Sequence, residues 1–118
     1  MVSNPRIEIN LDKIKHNATT LRELYEAKGV HITGVVKGVF AKPEVVKVLI
    51  DSGIKSIADS KISNIEKMKM ANLQATFILL RTPAMSEIQK VIEFADISMN
   101  TEIEVVRALS AEAKKQKK

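Results

Sequence analysis

Four short apolar runs, each followed by an amphipathic stretch, recur along this chain at intervals of about 20 to 25 residues. In the stretches that follow the runs, apolar residues recur at three- and four-residue steps, which is typical of one buried helix face. The repetition predicts four βα units, and therefore a parallel sheet with right-handed crossovers and helices packed against it. The apolar runs are Ile32–Val36, Ser56–Ala58, Ala75–Leu80 and Ile97–Met99.

A further strand and helix are predicted before the first repeat. Arg6–Leu11 alternates between polar and apolar residues, which favours a short half-buried strand. We expect a helix from Leu11 onward, with Asn10 as its N-cap and Gly29 as its stop. Its apolar positions recur at helical spacing and are Leu11, Ile14, Ala18, Leu21 and Leu24.

Residues with strong helix-boundary preferences mark the helices of the repeats. Pro43 suits the first helical turn, and Gly53 suits the position just after a helix ends. Ser60 is expected to cap the next helix, and Thr101 with Glu104 has the pattern of a capping box before the last one. We therefore expect short loops throughout the repeats.

Two architectures are compatible with four successive βα units. One is an open, doubly wound sheet, and the other is the N-terminal half of a (β/α)₈ barrel of the TIM type, whose usual length of about 250 residues is roughly twice the 118 residues here. The segment Gly34–Gly38 fits neither the GxGxxG nor the GxxxxGK phosphate-binding pattern. Nucleotide binding by those motifs is therefore unsupported.

Composition indicates one globular domain over residues 1–118. The chain is 45% hydrophobic and 28% charged, has no apolar run long enough to span a membrane and does not begin like a signal peptide, so we expect a cytoplasmic protein without a membrane partner. With no cysteine and two histidines, neither a disulfide nor a zinc site is expected. Four of the five excess positive charges lie within residues 114–118, which we expect to be a frayed basic tail rather than a nucleic-acid contact.

The polar residues that directly follow the apolar runs are the first candidates for a functional site, because ligands bind beyond the carboxyl ends of the strands in both architectures. On the sequence pattern alone, each is better explained as a solvated strand end or, for Ser60 and Asn100, as a helix cap. Lys37 is of particular interest, because a partly desolvated amine on a rigid strand end can be nucleophilic and can bond to an aldehyde cofactor. The candidates are Lys37, Asp59, Ser60, Arg81 and Asn100.

Several segments, taken in order, resemble a known family. Pro5–Asn17 followed by Thr33–Lys37 is similar to the opening of the pyridoxal-phosphate-dependent racemases of the alanine racemase superfamily. Asp59–Ser60 with Asn64, the run Leu79–Pro83 and the run Ala95–Asn100 resemble its ornithine racemase branch. The resemblance covers essentially the whole chain.

This resemblance implies the half-barrel rather than the open sheet. It also implies pyridoxal 5'-phosphate as cofactor, with Lys37 as the Schiff-base lysine and acid/base group, and with Ser60, Arg81 and Asn100 as further cofactor-binding residues. The substrate would be a small amino acid, of the ornithine or alanine type. Its α-proton would be removed from one face and a proton returned to the other.

Departures from the family pattern limit what this chain is expected to do alone. Ala41 stands where alanine racemases have a tyrosine, which favours the ornithine branch, and the family's opposite-face acid/base group comes from a later part of the chain. We therefore expect an N-terminal racemase portion that is inactive by itself and that forms homo-oligomers, because four barrel strands leave two open edges. The alternatives are a non-catalytic cofactor-binding module of the same superfamily and a non-catalytic protein-interaction domain.

Overall fold

The computed structural model describes residues 4–118 as one four-stranded sheet with five α-helices. The first helix precedes the sheet, and every strand is followed by a helix, as the apolar repetition predicts. No helix within residues 4–118 is long and apolar enough to cross a membrane. In chain order the elements are α1 Leu11–Glu26, β1 Thr33–Val35, α2 Pro43–Asp51, β2 Ser56–Asp59, α3 Ile62–Met70, β3 Thr76–Leu79, α4 Ile88–Phe94, β4 Ile97–Ser98 and α5 Ile103–Gln116.

The strands are all parallel and lie in the sheet in their chain order, β1-β2-β3-β4. A doubly wound sheet reverses its strand order at a switch point, whereas a (β/α)₈ barrel adds each strand beside the last. The observed order is therefore that of the barrel, and it decides between the two architectures left open by the sequence.

The two faces of the sheet differ in exposure. Ile57, Phe77 and Leu79 lie on the face covered by helices and are at most 2% exposed. Val35 and Ile97 lie on the opposite face, in register with Ala58 and Ile78, and are 52% and 49% exposed. Helices therefore cover one face only, and the other face corresponds to the inner wall of a barrel.

The strand expected over Arg6–Leu11 is not formed within the described chain. Residues 4–10 have no regular secondary structure, and Ile7 is 92% exposed. A strand is stabilised by a neighbouring strand, and the described residues supply none for this segment despite its alternating sequence. The helix prediction is confirmed, since Asn10 Oδ1 accepts a hydrogen bond from the Lys13 amide at 3.0 Å.

Two predicted caps are wrong. The residue preceding α3 is Lys61 rather than Ser60, and the buried carboxylate of Asp59 accepts from the Lys61 amide at 2.9 Å. Thr101 does not cap α5, because its hydroxyl lies 3.1 Å from that of Thr82 in the preceding loop. Within residues 4–118, the N-cap side chain of neither α3 nor α5 makes a capping hydrogen bond.

The basic C-terminal segment makes hydrogen bonds to the end of α4. Lys114 and Lys115 lie within α5. Lys118 Nζ donates to the carbonyls of Ile92 and Glu93, at 3.1 and 2.8 Å. These contacts tie the end of α5 to the end of α4.

Candidate functional site

Lys37 was expected to follow β1 directly. The strand ends one residue earlier than expected, at Val35, so Lys37 is the second residue after it. Val36, after the last strand residue, still donates its amide to the Ala58 carbonyl at 3.0 Å and is 1% exposed. Lys37 then begins a one-turn helix, Lys37–Val39, and is exposed. It forms no ion pair within the described chain. The partial desolvation expected of this amine is therefore not found within residues 4–118, and what the fold supplies is a fixed place for Lys37 beside the buried Val36.

The loop after Lys37 turns sharply into α2. Phe40 and Ala41 have positive φ angles of 54° and 49°, a region that residues with a Cβ rarely adopt. The Phe40 amide donates to the Lys37 carbonyl at 3.1 Å, and the Ala41 amide donates to the Val36 carbonyl at 3.0 Å. Ala41 is 0% exposed. The position that holds a tyrosine in alanine racemases is therefore a core position here, with room for a methyl group.

Asp59 ends β2 and is fully buried, facing the helices rather than the open face. Its Oδ1 accepts from the Lys61 amide at 2.9 Å and from Asn64 Nδ2 at 3.1 Å. Its Oδ2 is buried and has no hydrogen-bond partner within residues 4–118. Ser60, the next residue, lies in a bend at the rim and is partly buried. Asp59 therefore fixes α3 to β2, while Ser60 remains at the rim.

Arg81 and Asn100 lie on the same rim, beyond β3 and β4. Arg81 is exposed and follows Leu80, whose amide donates to the Asp59 carbonyl at 2.9 Å. Asn100 Nδ2 donates to the Ser98 carbonyl and hydroxyl, at 3.1 and 2.9 Å. Its Oδ1 is buried and has no hydrogen-bond partner in the described part of the chain. The Oδ1 atom of Asn100 can thus accept a hydrogen bond from a further donor.

The parallel sheet brings the four predicted site residues to one edge, since each follows a strand end. They comprise an amine, a hydroxyl, a guanidinium and an amide whose oxygen has no hydrogen-bond partner in the part of the chain that the structure describes. An aldehyde cofactor with a phosphate needs a lysine amine and donors for its anionic oxygens. These four side chains therefore supply part of what such a cofactor requires. Within residues 4–118, no cluster of three side chains suited to hold a metal ion is present. The four residues are Lys37, Ser60, Arg81 and Asn100.

A contact that the sequence did not reveal lies next to this edge. Lys67 of α3 donates from Nζ to the Phe40 carbonyl and lies 4.4 Å from the centre of the Phe40 ring. Twenty-seven positions separate the two residues along the chain. Because lysine is common on solvated helix faces, no sequence signal distinguishes Lys67 from its neighbours.

The sequence of residues 9–118 matches the family model described as "Alanine racemase, N-terminal domain". Two curated proteins are similar. An ornithine racemase from Acetoanaerobium sticklandii is 38% identical over 110 residues, which is 93% of this chain and 31% of that protein. A lysine racemase from Thermotoga maritima is 32% identical over 114 residues, which is 97% of this chain and 32% of that protein. The chain therefore spans about a third of the length of these relatives.

Solved structures share the fold. A D-threonine aldolase from Filomicrobium marinum superposes with a TM-score of 0.82 at 18% identity, covering 97% of this chain and 32% of that one. An alanine racemase from E. faecalis superposes with a TM-score of 0.75 at 16% identity, covering 86% of this chain and 28% of that one. At these identities the likeness supports the architecture, in agreement with the strand order.

Proposed function

The chain belongs to the family of alanine racemase N-terminal domains, and we propose that it is the part of a pyridoxal-phosphate-dependent amino-acid racemase that carries the cofactor-binding lysine, Lys37. The observation that carries the proposal is the placement of this amine. It is exposed, lies at the carboxyl edge of β1 and stands on a buried strand end. The names of two similar curated proteins, an ornithine racemase and a lysine racemase, support the reaction class.

Four residues of this chain would hold the cofactor, each through a different chemical group. Lys37 would bond to it through Nζ, while Arg81 would supply a fixed positive charge for an anionic oxygen. Ser60 would offer a hydroxyl at the rim, and Asn100 would offer its unpartnered Oδ1 to a donor. When bound, pyridoxal phosphate supplies an electron-accepting ring that makes the α-proton of an amino acid removable.

Lys37 also has a role in proton transfer. When not bonded to the cofactor, the Lys37 Nζ would be the amine at the rim that takes or returns the proton at the substrate Cα. Lys37 would thus serve one face of the substrate. The substrate we propose is a small amino acid of the ornithine type, because Ala41 leaves no phenol near the lysine and because the similar curated racemases act, by name, on diamino acids.

Titration of the purified protein with pyridoxal phosphate, followed by its absorbance, tests the proposal. We expect a visible absorbance band that saturates in the wild-type protein and is lost in Lys37→Ala. The matched control is Lys42→Ala, which removes an exposed lysine from the same loop and should leave the band unchanged. A band of equal strength in Lys37→Ala, or its loss in Lys42→Ala alone, would show that Lys37 is not the cofactor lysine.

A further inference from the structure

Two lysines from outside its own loop contact Phe40. Lys67 belongs to α3, and Lys61 directly precedes that helix. Phe40 is 65% exposed. Lys67 Nζ lies 4.4 Å from the ring centre and donates to the Phe40 carbonyl, and Lys61 Nζ lies 5.5 Å from the ring centre. An ammonium group over an aromatic face is attracted by the electron density of the ring. Phe40 is therefore bound through both its ring and its backbone.

The loop that carries Lys37 requires such support. Phe40 and Ala41 are two consecutive residues in the left-handed region, which is disfavoured for any residue with a Cβ and persists only where surrounding contacts enforce it. Four backbone hydrogen bonds close the turn, and their acceptors are carbonyls within or next to it, those of Val36, Lys37 and Val39. Lys67 is the hydrogen-bond donor that ties the turn to a different element.

The element that presents Lys67 is rigidly mounted. Asn64, which is 4% exposed, donates to the buried carboxylate of Asp59 at 3.1 Å and so fixes the first turn of α3 to the end of β2. Ile65 and Met68 are both 0% exposed and anchor the rest of the helix in the core. Lys67 lies between these two anchors along the chain, so the position of its backbone is set by the core.

On the basis of the proposed function, we propose that Lys67 is a positioning residue: it holds the loop Lys37–Lys42 against α3 and thereby sets the direction of the Lys37 amine. Lys67 contacts neither the amine nor any group bonded to it. Its effect passes through the Phe40 carbonyl and the turn, whose hydrogen bond to the Lys37 carbonyl fixes the backbone of the reactive lysine. Misplacement of a reacting group by about 1 Å is enough to cost a large factor in rate, so loop order at this point has chemical consequences.

Hydrogen exchange of the cofactor-free protein tests the contact without any reaction. Lys67→Met keeps the aliphatic stem but removes the donor and the charge. We expect the amides of Phe40 and Ala41 to exchange about fivefold faster or more, the effect of losing one net hydrogen bond, with the amides of β2 unchanged. The control is Lys69→Met, which removes a lysine of the same helix that lies over Phe77 and pairs with Asp96. Unchanged loop exchange in Lys67→Met, or equal acceleration in Lys69→Met, would overturn the proposal.

Cofactor binding tests the consequence for Lys37. In absorbance titrations with pyridoxal phosphate, Lys67→Met should bind about fivefold more weakly or worse, Lys67→Arg should recover most of the affinity, and Lys69→Met should match the wild type. Equal affinities in Lys67→Met and wild type would show that the loop contact does not position Lys37. If the wild-type protein gives no Lys37-dependent band, the proposed function is wrong, while the exchange result still decides whether Lys67 holds the loop.

Discussion

Asp59 is the buried acidic side chain of the described chain, and its contacts explain why α3 begins where it does. One carboxylate oxygen accepts from the Lys61 amide and from Asn64, and the other has no partner among residues 4–118. Burying a carboxylate is costly unless donors compensate it, so these two hydrogen bonds are what make the residue tolerable in the core. The carboxylate stabilises the end of β2, next to the strand that carries Lys37.

Replacing Asp59 tests this role. Asp59→Ala leaves the buried Asn64 amide without its acceptor, so the free energy of unfolding should fall by about 2–3 kcal/mol. Asp59→Asn keeps one acceptor oxygen and should cost clearly less. Urea unfolding of both variants gives the comparison, and an equal loss in the two would mean that the hydrogen bonds to Asn64 and Lys61 are not the stabilising contacts.

At the scale of elements, Arg22 of α1 contacts the C-terminal end of α2. Arg22 Nε donates to the Ser52 carbonyl at 2.7 Å and crosses Gly53, where an added Cβ would lie 2.8 Å from Nε. Gly53 has a φ of +91°, as expected for a glycine that ends a helix. Two features therefore favour glycine at position 53, namely its positive φ angle and the Arg22 side chain that lies against it.

Two glycine substitutions separate these requirements. Gly29→Ala, at φ +74° with open space around the added Cβ, should cost only the left-handed conformation, about 1–2 kcal/mol. Gly53→Ala should lower the free energy of unfolding by more than Gly29→Ala does. In a protein that already carries Arg22→Ala, the further loss caused by Gly53→Ala should be no larger than that of Gly29→Ala. Thermal or urea unfolding of the five proteins, wild type included, checks this. Equal costs at the two glycines would show that Arg22 simply moves aside.

How far the elements could be predicted from sequence depends on where their contacts come from. The helices from Leu11 and Pro43 were predictable, because cap and periodicity are local signals. The strand over Arg6–Leu11 was not, since pairing requires a neighbour that no local pattern specifies. The four rim residues were found because parallel strands end at one edge, whereas Lys67 was missed because its contact with Phe40 depends on the tertiary fold.

At the scale of the whole molecule, the sheet has an uncovered face and two open edges. The Cα radius of gyration is 16.4 Å, against about 13.5 Å for a compact domain of this length. Val35, Ile97 and Met99 are each about half exposed, at 52%, 49% and 53%. Unpaired strand edges beside an apolar face favour association with another sheet.

We therefore expect the purified 118-residue protein to form a dimer or a higher oligomer at micromolar concentration, measured by light scattering. Ile97→Lys, on the open face, should shift it toward monomer while leaving its circular dichroism unchanged. Leu24→Lys, on α1 and 52% exposed, is the matched control and should have no effect. A stable monomer of 13.1 kDa in the wild type would contradict the expectation.

The position of the other titratable groups predicts the activity of this chain alone. Racemisation needs a proton donor on the substrate face opposite Lys37. Tyr25 lies near the end of α1 and His31 just before β1, both toward the amino edge of the sheet and away from the rim, and His16 lies within α1, outside the sheet. We expect no measurable racemisation of ornithine or alanine by the 118-residue protein, as followed by chiral chromatography. Steady turnover would mean that a second acid/base group had been overlooked, here or in a shared site.

The assignment of Lys37 is tested most directly by trapping. Borohydride reduction of the protein with bound pyridoxal phosphate fixes the cofactor on the nitrogen that holds it, and peptide mapping by mass spectrometry identifies the lysine. We predict that the label is concentrated on Lys37. Most of the chain's 19 Lys and Arg residues are lysines, so labelling of a single one would be specific. Label spread evenly over exposed lysines, or concentrated on any lysine other than Lys37, would contradict the assignment.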